Sequence, residues 1–202
     1  MKEDLKKLIG TNEKILYEGK PDKKCFVFEG IFNPMLPVAI MWALFDSIFL
    51  GAAIFSDDKS FLMFLIPFLL FHMMPVWLYL GGALLVFKRY KNTEYIVTDH
   101  AVYVSEGVFV KSFKTKPFAE LSHVDLKRGI FDQKFNVGDI ILTSSQASSE
   151  SGVASISINS ISNYTEVYNI VKKLQEDIYT DVMYPNDKRP KENHGYKTEY
   201  KG

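Results

Sequence analysis

Two long apolar stretches separated by five residues constrain this chain more than any other feature. The first reads "IFNPMLPVAIMWALFDSIFLGAAIF" from Ile31 to Phe55, and the second "FLMFLIPFLLFHMMPVWLYLGGALLVF" from Phe61 to Phe87. As helices rising ~1.5 Å per residue they reach roughly 38–40 Å, enough to cross a ~30 Å hydrocarbon core with some tilt. A soluble fold would have to bury two adjacent helices, apolar all round, in one small domain. The intervening "SDDKS", Ser56 to Ser60, forces the two to run antiparallel. The sequence therefore predicts a two-helix transmembrane hairpin over residues 31–87, with spans 31–55 and 61–87. Pro34 and Pro37 fall in the first turns of span one, where a missing N–H costs little. Pro67 and Pro75 lie inside span two and should bend it.

Lysines set the orientation. Lys2, Lys6, Lys7, Lys14, Lys20, Lys23 and Lys24 precede the first span, and Lys88, Arg89 and Lys91 follow the second. The short turn offers Lys59 beside Asp57 and Asp58. Excess Lys and Arg stays cytoplasmic, so the expectation is a multi-pass protein of the cell membrane with both termini in the cytoplasm. The run at Lys88, Arg89 and Lys91 suits the anionic headgroups of the inner surface. A cleaved signal peptide ending near "LGAA" is the rival reading. It conflicts with the long, mixed-charge region before the stretch and with the second apolar segment that follows at once.

After Phe87 the apolar period drops to two. "TEYIVTD" and "AVYVSEGV" are β-rich runs joined through Asp99-His100, and "GVFVKSFKTKPF" continues as another run after Gly107. "GDIILTSS" follows Gly138, Gly152 marks a hairpin, and "VASISINS" alternates Ala154, Ile156 and Ile158 with polar residues. Such alternation gives an antiparallel sheet with one dry face. In "NYTEVYNIVKKLQEDI", Val167, Ile170, Val171, Leu174 and Ile178 share one helical face. Asn163 with Glu166 three residues on resembles a capping box, a better account of "NYT" on a cytoplasmic domain than glycosylation. The fold class expected is α+β with membrane helices: the hairpin, then a β-roll closed by a C-terminal amphipathic helix. Residues 92–178 form the roll, which should fold by itself and hang from a short linker, Lys88 to Asn92. Residues 1–30 are a cytoplasmic lead-in, with a short amphipathic helix carrying Leu5, Leu8 and Ile9, a break at Gly10 and an extended "KILYEG", packed on the membrane surface or the roll; 179–202 are a flexible polar tail.

The stretch from Asn92 to Ser145 resembles the bacterial PH-like domain of the YdbS-like membrane proteins, a family of unknown function. The marks are the opening strand with Tyr95, Val97, Thr98 and Asp99, the second hairpin at Gly107, "PFAELSHVDL", and "FNVGDIIL" with Gly138 and Asp139 before a strand. "ILYEGKPDKK" resembles that family's lead-in. The resemblance implies a membrane-anchored PH-like module without a catalytic role, whose partner is a second copy or a companion membrane protein carrying such a domain.

The residues point away from chemistry. Neither a G-x-S-x-G, an H-E-x-x-H nor a Gly-rich phosphate loop is present, and no enzyme activity and no cofactor are expected. With 24 basic and 24 acidic side chains the net charge is zero, which excludes the usual nucleic-acid binder. One cysteine, Cys25, excludes an intrachain disulfide framework. Met35, Met41, Met63 and "FHMMP" read as packing filler rather than a metal path. His100 and His123 read as solvent-facing or hydrogen-bonded. Candidate headgroup contacts are Lys88, Arg89, Lys91, Lys114, Lys116, Lys127 and Arg128, with Lys111 completing the roll's patch. The first hairpin loop, taken as Asp99-His100, is too short for inositide recognition. Asp46 and His72 are the candidate intramembrane polar pair, because ionisable groups at membrane depth are paired or functional. Their distances from the outer turn, roughly 14 and 17 Å at ~1.5 Å per residue, permit a shared hydrogen bond. The function expected is a scaffold or partner-recruiting subunit among membrane lipids; the alternative is a subunit of a transport or channel-like assembly using Asp46 and His72.

Overall fold

The computed structural model describes residues 2–55, 60–144 and 155–183. The turn residues 56–59, the hairpin expected at Gly152 and the tail beyond 183 lie outside the described residues. The chain divides into two units: Val27–Lys91, and Met1–Phe26 together with Asn92–Gly202.

The helices of the apolar stretch are α2 (Lys23–Ile31), α3 (Met35–Ile54), α4 (Ser60–His72) and α5 (Met74–Asn92). The first apolar helix starts at Met35 rather than Ile31. Asn33 interrupts the chain there, its side chain accepting the Met35 N–H at 2.8 Å and donating to the Gly30 carbonyl at 2.7 Å. The second stretch is bent, as two helices with the break at Met73 and 50° between their axes. Pro75, the second residue of α5, has no N–H for the Phe71 carbonyl and its ring crowds that carbonyl, so the ladder ends there. Pro67 stays inside α4 without ending it. Among the described residues, by length and composition, one helix, Met35–Ile54, can cross a membrane, or two if the bent pair counts as one span. Ala53 packs with Leu65 and Leu69 where α3 meets α4. Gly30 lies so close to Val86 that a Cβ there would sit 2.5 Å from its methyl carbon. The expected linker is absent, since α5 stays helical through Lys88, Arg89 and Lys91.

The second unit is a mixed α/β roll. One antiparallel sheet has the order β1 (Ile15–Gly19), β2 (Glu94–Thr98), β3 (Ala101–Glu106), β4 (Ser112–Pro117). The other is β5 (Leu121–Lys127), β6 (Gly138–Ser144), β7 (Ser155–Ile161). The short helix α6 (Ile130–Phe135) joins β5 to β6, and α7 (Tyr164–Met183) follows β7. Val97, Val102, Val104, Ile140, Leu142 and Ile158 meet Val167 and Val171 of α7 in one core. The period-two pattern has its physical counterpart in β6, where buried and half-buried residues alternate strictly. By contrast, every residue of β2 is buried. Its outer face is covered by α1 (Lys2–Lys6), whose fully buried Leu5 packs with Ile96, Ala101 and Tyr103.

The lead-in thus belongs to the roll, which is wider than residues 92–178. Ile15 pairs with Thr98 and Gly19 with Tyr95, so β1 is the edge strand and residues 27–91 are inserted between the first two strands. The first inter-strand connection is therefore that whole insertion, and Asp99-His100 is the second. At the far end, α7 runs five residues past Ile178.

Glu13 ties the lead-in down. Its carboxylate accepts hydrogen bonds from Thr98 Oγ1 at 2.7 Å and from the Tyr103 hydroxyl at 2.9 Å. Burial, reinforced by the Glu13 carboxylate, pushes the Tyr103 phenol up from 10.0 to about 12. The folded state then keeps a proton that the unfolded chain releases above pH 10. Stability from this source is intact below pH 10 and declines as the pH rises towards 12. Tyrosinate absorbance should show a late-ionising tyrosine, absent in Tyr103→Phe and shifted to lower pH in Glu13→Gln. A titration unchanged by both substitutions would contradict this assignment.

Candidate functional site

Asp46 on α3 and His72 at the end of α4 are brought together, His72 Nδ1 lying 2.7 Å from Asp46 Oδ1. The spacing of residues explains the pocket around them. Trp42 is one turn before Asp46, Phe68 one turn before His72, and both rings lie 5.1 Å from the imidazole, Phe68 stacked on it. The helix break at Met73 contributes directly. In a continuous helix the His72 carbonyl would accept the Val76 N–H, but that N–H bonds to Met73 O instead. Trp42 Nε1 donates to the released carbonyl at 2.7 Å. Asp46 is only 2 % exposed, and its Oδ2 is buried without a hydrogen-bond partner among the described residues. The His72 side chain is 30 % exposed. The tautomer that carries its proton on Nδ1 donates to Asp46 and leaves Nε2 for a second partner. A carboxylate and an imidazole at this distance can share a proton, and so can either fasten two helices or pass one on.

The basic candidates have different immediate surroundings. Lys88, Arg89 and Lys91 are exposed on the last turns of α5, where cations suit the helix dipole. Lys114 pairs with Glu106, and Lys116, 8 % exposed, lies 3.5 Å from Glu120. Lys111 reaches Asp4 at 3.3 Å. Arg128 is a structural brace: Nε donates to Val137 O at 2.8 Å, and the guanidinium sits 4.5 Å over the Tyr164 ring. Lys127 is exposed. His100 Nδ1 lies 2.8 Å from Asp99 Oδ1, and His123 is exposed. Cys25 is fully buried, its thiol 3.5 Å from Asp132 Oδ1, so it cannot report topology by labelling.

The segment after Gly107 differs from the continuous run its sequence predicts. The run from Gly107 is not strand until Ser112, and the intervening turn leaves Phe109 and Val110 each 80 % exposed. Ile130, at the start of α6, is 84 % exposed. The legible signal was "EGVFVK", apolar residues directly after a glycine at a hairpin.

A family model described as bacterial PH domain matches residues 45–175, from inside α3 to inside α7. This chain belongs to that family. The bacterial PH domain match takes in Asp46, His72 and every strand of the roll except β1. No curated protein and no solved structure matches the chain.

Proposed function

We propose that the chain is an integral membrane protein that presents its bacterial PH domain on the cytoplasmic side, as a scaffold or partner-recruiting subunit. The observation that carries this reading is the exposure of the apolar unit. Only 17 % of the apolar window of α3 is buried within the protein, whereas the core helix of a soluble fold would be mostly buried. Ile48, Leu44 and Met63 stand open at 68, 62 and 85 %, a surface that suits lipid or a neighbouring apolar helix. The insertion of this unit between β1 and β2 favours a scaffold, because the roll is held to it through two chain passages instead of one.

The alternative, a subunit of a transport or channel-like assembly, is favoured by the unpartnered Asp46 Oδ2 beside a part-exposed imidazole. Two measurements separate them. Extraction in mild detergent should yield a stoichiometric complex with a second copy or another membrane protein, and reconstituted vesicles should show no ion flux. Flux that disappears in Asp46→Asn would establish the alternative. Recovery of the protein in the soluble fraction after lysis would overturn both.

A further inference from the structure

We propose that Phe109 and Val110, together with Ile130, enter the inner leaflet and hold the roll against the bilayer at two points. This rests on the membrane reading above. The first point is the β3–β4 turn. Ser105 pairs with Glu94 at the start of β2, so the turn projects from the edge at which the chain enters that strand. Its base is clasped to Asn92, the residue joined to Lys91: Ser105 Oγ donates to the Asn92 carbonyl and Asn92 Nδ2 to the Gly107 carbonyl, both at 3.0 Å. Gly107 has φ +132°, and a Cβ there would come within 2.0 Å of Val110 O. Only glycine fits, so a fixed backbone turns the two apolar side chains outward.

The second point lies beside the other chain passage. Asp22 N donates to Ser160 O at 2.6 Å, and Cys25, one residue from Phe26, lies against Asp132 of α6. Ile130 opens that same helix. Each apolar protrusion also has a cation near it in sequence, Lys111 after Val110, also paired with Asp4, and the exposed Lys127 three residues before Ile130. Apolar tips flanked by lysine suit acyl chains beneath anionic headgroups.

The test uses the full chain in nanodiscs of phosphatidylglycerol and phosphatidylethanolamine, with bimane on single introduced cysteines. Labels at Phe109→Cys and Ile130→Cys should emit further to the blue and be quenched by doxyl-labelled lipid. A label at His100→Cys, in the β2–β3 turn at the opposite end of β2, should show neither effect. Leu44→Cys on α3 reports the apolar unit itself, and the parent protein with buried Cys25 gives the background. Quenching at 44 but at neither 109 nor 130 would overturn the proposal and leave the membrane reading intact. Quenching at only one of the two would overturn the two-point contact. A label at 44 that behaves like the one at 100 would overturn the membrane reading, and the proposal with it.

Discussion

Residues 92–183 expressed alone will fail to unfold cooperatively, whereas residues 1–26 joined to 92–183 by a flexible linker will fold. Without the lead-in, β2 loses its β1 partner from Thr98 to Tyr95 and becomes an open edge. The outer face of Ile96, Ala101 and Tyr103 loses the cover of Leu5 and Ile9. Thr98 and Tyr103 lose the Glu13 carboxylate. Burying a leucine is worth about 1.5–3 kcal/mol, and each net hydrogen bond about 1 kcal/mol. Together these losses reach a large part of the roughly 5–15 kcal/mol by which a domain is stable. About twelve Gly/Ser residues span roughly 20 Å and replace the insertion without dictating its geometry. In that joined protein Leu5→Ala should cost about 2–5 kcal/mol, read from the midpoint of urea unfolding. Equal midpoints for the joined protein and for 92–183 alone would show that β1 and α1 are dispensable.

That expectation also marks where sequence reasoning reached its limit. The strands after Glu94 and the buried face of α7 were legible because tertiary burial follows the same periods of two and 3.6 as the sequence. The extended "KILYEG" was legible as a segment, but its place in the sheet was not, since Ile15 and Leu16 are both more than a third exposed and the five-residue strand carries no apolar period. Only its partner, about eighty residues downstream, makes it a strand. Burial on both faces of β2 likewise depends on α1, a five-residue helix whose single decisive residue is Leu5. The prolines announced a bend, but composition did not say that Pro75 would end the helix while Pro67 would not. At the site, Asp46 and His72 were conspicuous because charge is rare in an apolar stretch. The lysines were not separable in the same way. A lysine held by Glu106 across β3 and β4 looks in sequence like one that meets solvent, and Arg128 braces a turn through Val137, nine residues on.

The conspicuous pair supports an asymmetric result: His72→Ala will destabilise the full chain in detergent more than Asp46→Asn does. Asp46 is 2 % exposed and already has one oxygen unpartnered among the described residues, so removing His72 strips the partner of the other. The carboxyl is then left in an apolar site without that partner, and breaking a buried pair in this way costs about 3–5 kcal/mol. Asp46→Asn keeps the shape and an acceptor near Nδ1, while His72 retains its stacking on Phe68 and the Trp42 bond to its carbonyl. The loss should be nearer the ~1 kcal/mol of a hydrogen bond between neutral groups. Two double variants close the argument. Asp46→Asn placed on His72→Ala removes the orphaned carboxylate and should raise the melting temperature above that of His72→Ala alone. Asp46→Asn with His72→Gln pairs two amides and should recover part of the parent's stability, a coupling of about 0.5–3 kcal/mol between residues in contact. Coupling near zero, with both single variants as stable as the parent, would remove the fastening role. A proton or ion path would then be the remaining reason to keep a carboxylate and an imidazole 2.7 Å apart between these helices.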